Sequence, residues 1–235
     1  MTRLHQSAMD RILERVAHGE LQPGDWLPSE QRMEAEFGIS RGVARETIQA
    51  LKERGVVDVR HGRGQWIRGE DDWNVLDSHV LAAVIDARRF DLLREVVECR
   101  ALLAPSVAAL AAKRTTSEAL ERLVAAHTRL RDVAAARRRA TPLDDPFVAA
   151  EIEFHRALAR MAGNRVVARI LEPVDEGLAI VHHELGADPR AAVVRLLGKV
   201  RAGVEARDAE RARAAMESSV TQTRRWLTQA QSATG

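Results

Sequence analysis

The chain contains no tyrosine, a single cysteine and only 3% aromatic residues. Strand-rich folds draw heavily on aromatic and β-branched side chains. Their scarcity beside abundant Ala, Leu, Val and Arg predicts a mainly α-helical protein. Cys99 has no second cysteine to pair with, which excludes an intramolecular disulfide and makes a reducing compartment the default. No apolar run reaches the length of a membrane span. The N-terminal stretch MTRLHQSAMDRILERV is amphipathic and lacks the apolar core of a signal peptide. These absences lead us to expect a cytoplasmic chain without a membrane partner.

Net charge is also nearly absent, at +2, but its distribution is informative. Residues 1–70 hold eleven Lys or Arg and eleven Asp or Glu. Within them, residues 37–68 hold seven basic and three acidic residues. The excess sits on one short stretch. A local basic face of this kind suits phosphate contacts, although charge alone fits a solvated surface equally well.

That stretch has a readable order. Leu4, Ala8, Ile12 and Val16 share one face of a first helix over 4–17. LQPGDWLP is a loop, and Ser29 caps a helix running to Phe37. Gly38 supplies a tight turn, and Ser40 caps a helix over about 41–54. On a helical wheel Val43, Ala44, Thr47 and Leu51 fall within a stripe of roughly 100°, suited to packing. Arg41, Arg45, Gln49 and Lys52 fall within about 80° on the other side. Such a row can lie in a major groove, where arginine reads guanine edges. VVDVR and QWIR then read as two short strands around His61-Gly62-Arg63-Gly64. His61 and Arg63 can reach phosphate or the minor groove from that tip. The order is that of a winged helix-turn-helix that binds duplex DNA.

Here the run GELQPGDWLPSEQRMEAEFGISRGVARETIQALKERGVVDVRHGRGQWI resembles the DNA-binding domain of the GntR family of bacterial transcription regulators. The resemblance implies that Arg41 and Arg45 contact bases or phosphates. It implies that Ser40 contacts phosphate and that His61 and Gly62 form the wing contact. Two positions depart from the family pattern. Gln31 stands where arginine is usual, and Glu34 stands where a small apolar residue is usual. The first removes or alters a DNA contact, and the second is expected to shift the packing of its helix.

After the junction GEDDWNVL no strand signal appears, and the expected domains are 1–70 and 71–235. The second reads as an antiparallel bundle of six to seven helices, which can enclose a ligand pocket. Predicted helices cover about 76–87, 91–113, 117–138, 146–162, 165–184, 189–206 and 209–230. Thr115 with Glu118 reads as a capping box. Arg137-Arg138-Arg139 reads as a solvated helix end. Asp145-Pro146 reads as an N-cap and first residue.

Polar residues within apolar faces are the candidate site. Glu151 and His155, four apart, lie on one side of a helix. They suit either a shared metal ion or a simple hydrogen bond. Arg100 suits a bidentate contact with a ligand carboxylate, or a salt bridge to a neighbouring acid. His182 and His183 close a helix, and one of them is expected to face solvent.

R-x-x-L at Arg100 to Leu103, EIEFH at 151–155 and Gly163-Asn164 resemble the effector (FCD) domain of the FadR subgroup within GntR. In metal-binding members an acid and a His four apart join two later histidines. Glu151 and His155 match the first pair. Aligned through Arg207-Asp208 and Ala212, the later two fall on Leu197 and Ser219, and a usual Glu is replaced by Ala104. The resemblance thus implies a metal-free pocket holding Arg100, Glu151 and His155, unless His182 or His183 completes a divalent-metal site. WNVLD at 73–77 resembles members that sense sugar acids. The expected protein is a homodimeric repressor that binds a palindromic operator and is controlled by a small carboxylate. The alternative is a metal-dependent regulator or enzyme using Glu151 and His155.

Overall fold

A computed structural model describes residues 3–60, 62–134, 145–184 and 187–233. The chain forms two compact units, Met1–Arg89 and Phe90–Gly235. The division falls after residue 89 and not after residue 70. A helix assigned to the C-terminal bundle from sequence packs instead with the N-terminal unit.

In the first unit α1 (Arg3–Ala17), α2 (Glu30–Phe37) and α3 (Arg41–Glu53) precede a two-stranded antiparallel wing, β1 (Val57–Arg60) and β2 (Gly64–Ile67). α4 (Ser78–Asp86) closes it. α1 packs against both α3 and α4. Met9, Ile12 and Leu13 meet a core that includes Ala44, Ile48, Leu51, Val80 and Val84, all buried. The predicted stripe of α3 is the face that packs, with Thr47 donating back to the Val43 carbonyl at 2.9 Å. The α2–α3 turn works because Gly38 takes φ +65°, a left-handed conformation that costs glycine nothing. Part of the expected loop is ordered by the wing. Leu27 N donates to the Gln65 carbonyl and Ile67 N to the Asp25 carbonyl, both at 2.9 Å.

The chain leaves α3 through Gly55, at φ +72°, where a Cβ would stand 2.0 Å from the Asp72 carbonyl oxygen. Only glycine fits both constraints. The WNVLD segment then locks onto the end of α3. Trp73 is buried, Asn74 N donates to the Arg54 carbonyl, and Asp77 caps α4 while pairing with Arg54 at 2.9 Å. These residues do structural work inside the N-terminal unit.

The second unit contains, among the described residues, six helices: α5 (Phe90–Arg114), α6 (Ser117–Ala134), α7 (Pro146–Met161), α8 (Arg165–Glu184), α9 (Ala187–Glu205) and α10 (Ala209–Ser232). α5 lies along α10, α10 on α9, α6 on α7 and α7 on α8. Buried Ala104, Ala108, Ala111 and Ala112 keep α5 thin enough for close approach. Phe147, Phe154, Leu158 and Leu178 fill the middle. Two helix ends differ from expectation. Thr116, not Thr115, caps α6, accepting from Ala119 N at 3.2 Å. Arg137-Arg138-Arg139 lies outside the described residues. Asp145 caps α7 as predicted, accepting from Phe147 N at 2.8 Å.

Candidate functional site

Two sites emerge, one on each unit. On the first, Arg41, Arg45, Gln49 and Lys52 are all exposed along one side of α3, as the wheel predicts. Ser40 caps that helix, its Oγ accepting from Val43 N at 3.4 Å. The helix N-terminus therefore presents free N–H groups and a positive dipole end, suited to a phosphate. Gly62 and Arg63 turn the wing, with Gly62 at φ +74° and Arg63 N bonded to the Arg60 carbonyl at 2.9 Å. His61 lies outside the described residues. A cleft of about 440 Å³ opens between α2, the start of α3 and the wing, lined by Trp26, Ser29, Gln31, Arg41 and Arg63 among others.

Sequence reading missed what holds the arginines in place. Arg41 Nε donates to Glu34 Oε2 at 2.9 Å. Arg45 donates through Nε and Nη2 to the two oxygens of Glu30, at 3.2 and 3.1 Å. Glu30 raises the Arg45 pKa still further above its ordinary value, first by that hydrogen bond. Glu34, expected to disturb the packing of its helix, instead reaches across the turn to Arg41. Gln49 donates to Glu53 at 3.0 Å.

On the second unit, Arg100 of α5, Glu151 and His155 of α7, Asp175 and His182 of α8 and Thr223 of α10 are all buried. They form one cluster in two linked halves. Arg100 Nη2 lies 2.8 Å from His155 Nε2, and Arg100 Nη1 lies 3.4 Å from Asp175 Oδ1. The second distance gives attraction without hydrogen-bond alignment, so Asp175 Oδ1 has no donor. In the other half His182 joins Glu151 Oε1 at 2.8 Å and Thr223 Oγ1 at 3.0 Å. Trp226 stacks edge-on against His182, with centroids 5.3 Å apart. Glu151 and His155 share a helix side but take different partners, so the simple paired reading fails. Neither terminal histidine of α8 is exposed: His182 is buried, and the partly buried His183 bonds Asp145 Oδ2 at 2.5 Å.

Burial dominates the electrostatics. It holds His155 well below its ordinary pKa, with Arg100 adding to the effect. The same burial pushes Asp175 up to about 6, against the pull of Arg100. Asp175 was not anticipated, although its signal is in the sequence. Leu171, Asp175, Leu178 and His182 fall at helical spacing on one buried face of α8.

Those donors fit a metal poorly. Arg100 Nη2 lies 2.8 Å from His155 Nε2 and 3.3 Å from its Nδ1, so a divalent cation bound to that imidazole would stand beside a buried positive charge. The position aligned with a later ligand, Leu197, is a buried apolar side chain. Among the described residues no three His, Cys, Asp or Glu side chains group as a metal centre. No helix among them is long and apolar enough to cross a membrane.

A basic helix presented beside a glycine-tipped wing defines a DNA-binding protein of the winged helix-turn-helix class. Comparison with known proteins narrows it. Residues 4–67 match the bacterial regulatory proteins of the gntR family, and residues 95–222 match the FCD domain. The chain belongs to the FCD-bearing GntR regulators; it is a transcription regulator and not an enzyme. It is 30% identical over 209 residues to an uncharacterized HTH-type transcriptional regulator of Mycobacterium tuberculosis, covering 86% of this chain and 81% of that one. It is 29% identical over 167 residues to the galactonate operon transcriptional repressor of Escherichia coli, covering 68% and 69%. Among solved structures, Lar, which controls expression of the Listeria monocytogenes agr system, shares the fold with a TM-score of 0.69 at 18% identity, covering 97% of this chain and 98% of that one.

Proposed function

We propose that this regulator is a homodimeric, cytoplasmic repressor whose grip on a palindromic operator is controlled by a small hydroxycarboxylate bound at Arg100. In this reading Ser40, Arg41, Arg45, Gln49, Lys52, His61, Gly62 and Arg63 form the DNA face. Arg100, Glu151 and His155 form the effector site, without a metal. The observation that carries the effector assignment is the pattern of buried polar atoms left without partners: Arg100 Nε, Glu151 Oε2 and Asp175 Oδ1. A buried donor beside two buried acceptors is costly unless something completes it. A ligand carboxylate would satisfy the donor, and flanking hydroxyls would satisfy the acceptors. A sugar acid has both. One relative is a repressor of a galactonate operon, which makes this class the first to test. Binding would shift operator affinity by the difference in effector affinity between the DNA-competent and released states.

The test is a panel of aldonates and shorter hydroxycarboxylates, scored by thermal shift and by release of DNA selected from a palindromic library. A stabilising aldonate that releases wild-type protein, and does neither to Arg100→Met, is the expected result. Stabilisation of Arg100→Met equal to wild type rejects the site. Chain mass in solution tests the dimer.

A further inference from the structure

The Glu34–Arg41 pair does more than neutralise an exposed charge. We infer that Glu34 is a specificity-determining residue that positions Arg41 to read a guanine. Three observations converge. The carboxylate engages Arg41 at Nε, at 2.9 Å, and among the described residues no hydrogen bond engages Nη1 or Nη2. The end of the guanidinium that forms a bidentate bond to guanine O6 and N7 is therefore free while the stem is held. Arg45 is held at two points: Glu30 takes the side-on Nε and Nη2 edge together, and the end-on N–H pair is left over there too. Finally, the geometry depends on the turn. Gly38 at φ +65° folds the last turn of α2 back beside the first turn of α3, so that positions 34 and 41 face each other.

An exposed arginine without a partner samples many rotamers and loses that freedom on binding. Held at Nε, Arg41 loses less of that freedom on binding, and the outer edge of its fork stays available. The acid also brings negative charge close to the phosphates, which weakens binding to every sequence alike. Glu34 thus trades overall affinity for discrimination at one base pair. A small apolar residue at this position would do neither.

The test is selection from a double-stranded oligonucleotide library randomised across a palindromic window, followed by sequencing. Wild type should enrich a guanine column that Arg41→Ala erases. Glu34→Ala should flatten that same column, with discrimination falling ~10-fold, while other columns keep their sharpness. Its affinity for a fixed unselected duplex should rise at the same time. Glu34→Gln keeps an acceptor for Nε, and it should hold part of the column with the same rise in unselected affinity. Circular dichroism and melting check that each variant folds, and the Gln variant carries the test should Ala fail. A Glu34→Ala or Glu34→Gln column as sharp as wild type overturns the inference and leaves the DNA-reading assignment intact. No enriched sequence with wild type overturns both.

Discussion

Arg100 Nη2 stands 2.8 Å from His155 Nε2 and 3.3 Å from its Nδ1, so a buried organic cation lies against the imidazole that a metal ion would have to share with it. The cluster is built around a guanidinium, and its behaviour under mutation, pH and chelation follows from that.

Removing the cation should be costly. Arg100→Met leaves Asp175 buried beside Glu151 without its positive neighbour. Breaking a buried pair from one side typically costs about 3–5 kcal/mol, and replacing both partners costs much less. Urea unfolding should place Arg100→Met well below wild type and recover much of the loss in Arg100→Met/Asp175→Asn. Equal destabilisation of the single and double variants would mean that the pair contributes nothing.

The pH dependence of stability has a definite sign. Folding favours protonated Asp175, whose pKa rises from 3.8 to about 6, so its contribution falls as pH rises across that window. His155 acts the other way. Its folded pKa lies well below 6.5, so its contribution is lost as pH falls below 6.5. The slopes oppose each other in wild type. Asp175→Asn unmasks the histidine, and its stability should climb relative to wild type between pH 4 and 6 by up to roughly 3 kcal/mol. Urea midpoints that run parallel for the two proteins would contradict this assignment.

Chelation should do nothing to this site. EDTA followed by dialysis is expected to leave both the melting temperature and the operator affinity unchanged, and added zinc to restore nothing. A melting temperature that drops with chelator and recovers with zinc would return Glu151, His155 and His182 to the role of ligands.

On the reader, Arg45→Ala should weaken specific operator binding at least ~10-fold in a gel-shift titration while leaving melting unchanged, because the side chain is exposed. Wild-type affinity in this variant would displace α3 from the groove.

A smaller pH effect belongs to the N-terminal unit. His79 Nδ1 lies 2.8 Å from Asp10 Oδ1, and that hydrogen bond raises the histidine pKa against partial burial. Its stabilisation is full below the unfolded pKa and fades as pH rises through the folded value. Both groups are partly exposed, so the size is at most about 1 kcal/mol. Asp10→Asn should lose stability at pH 6 and match wild type near pH 9, as followed by thermal melting.

The sequence made local features legible and left distant pairings hidden. Caps at Ser29, Ser40 and Asp145, the turn at Gly38 and the two faces of α3 are written in spacing, because each depends on neighbours within a few residues. Arg100 and His155 were visible as polar residues in apolar faces. Their partnership was not, because it joins side chains 55 positions apart. Asp175 was readable in principle from the spacing of α8, where the eye follows the apolar residues and passes over the acid among them. That α4 packs with the N-terminal unit was not legible, because it has the apolar composition of a bundle helix. Its partner, α1, lies at the other end of the N-terminal unit.

The two glutamates beside the reading arginines have a kinetic consequence as well. A regulator must cross long tracts of irrelevant DNA before it meets its operator, and non-specific attraction through unpaired arginines would slow that transit. With Arg41 and Arg45 each tethered to a carboxylate of α2, the reading helix approaches a random duplex with much of its charge already satisfied within the protein. With Arg41 and Arg45 reading DNA as proposed, dwell time on wrong sequences should shorten, releasing the protein to continue its search.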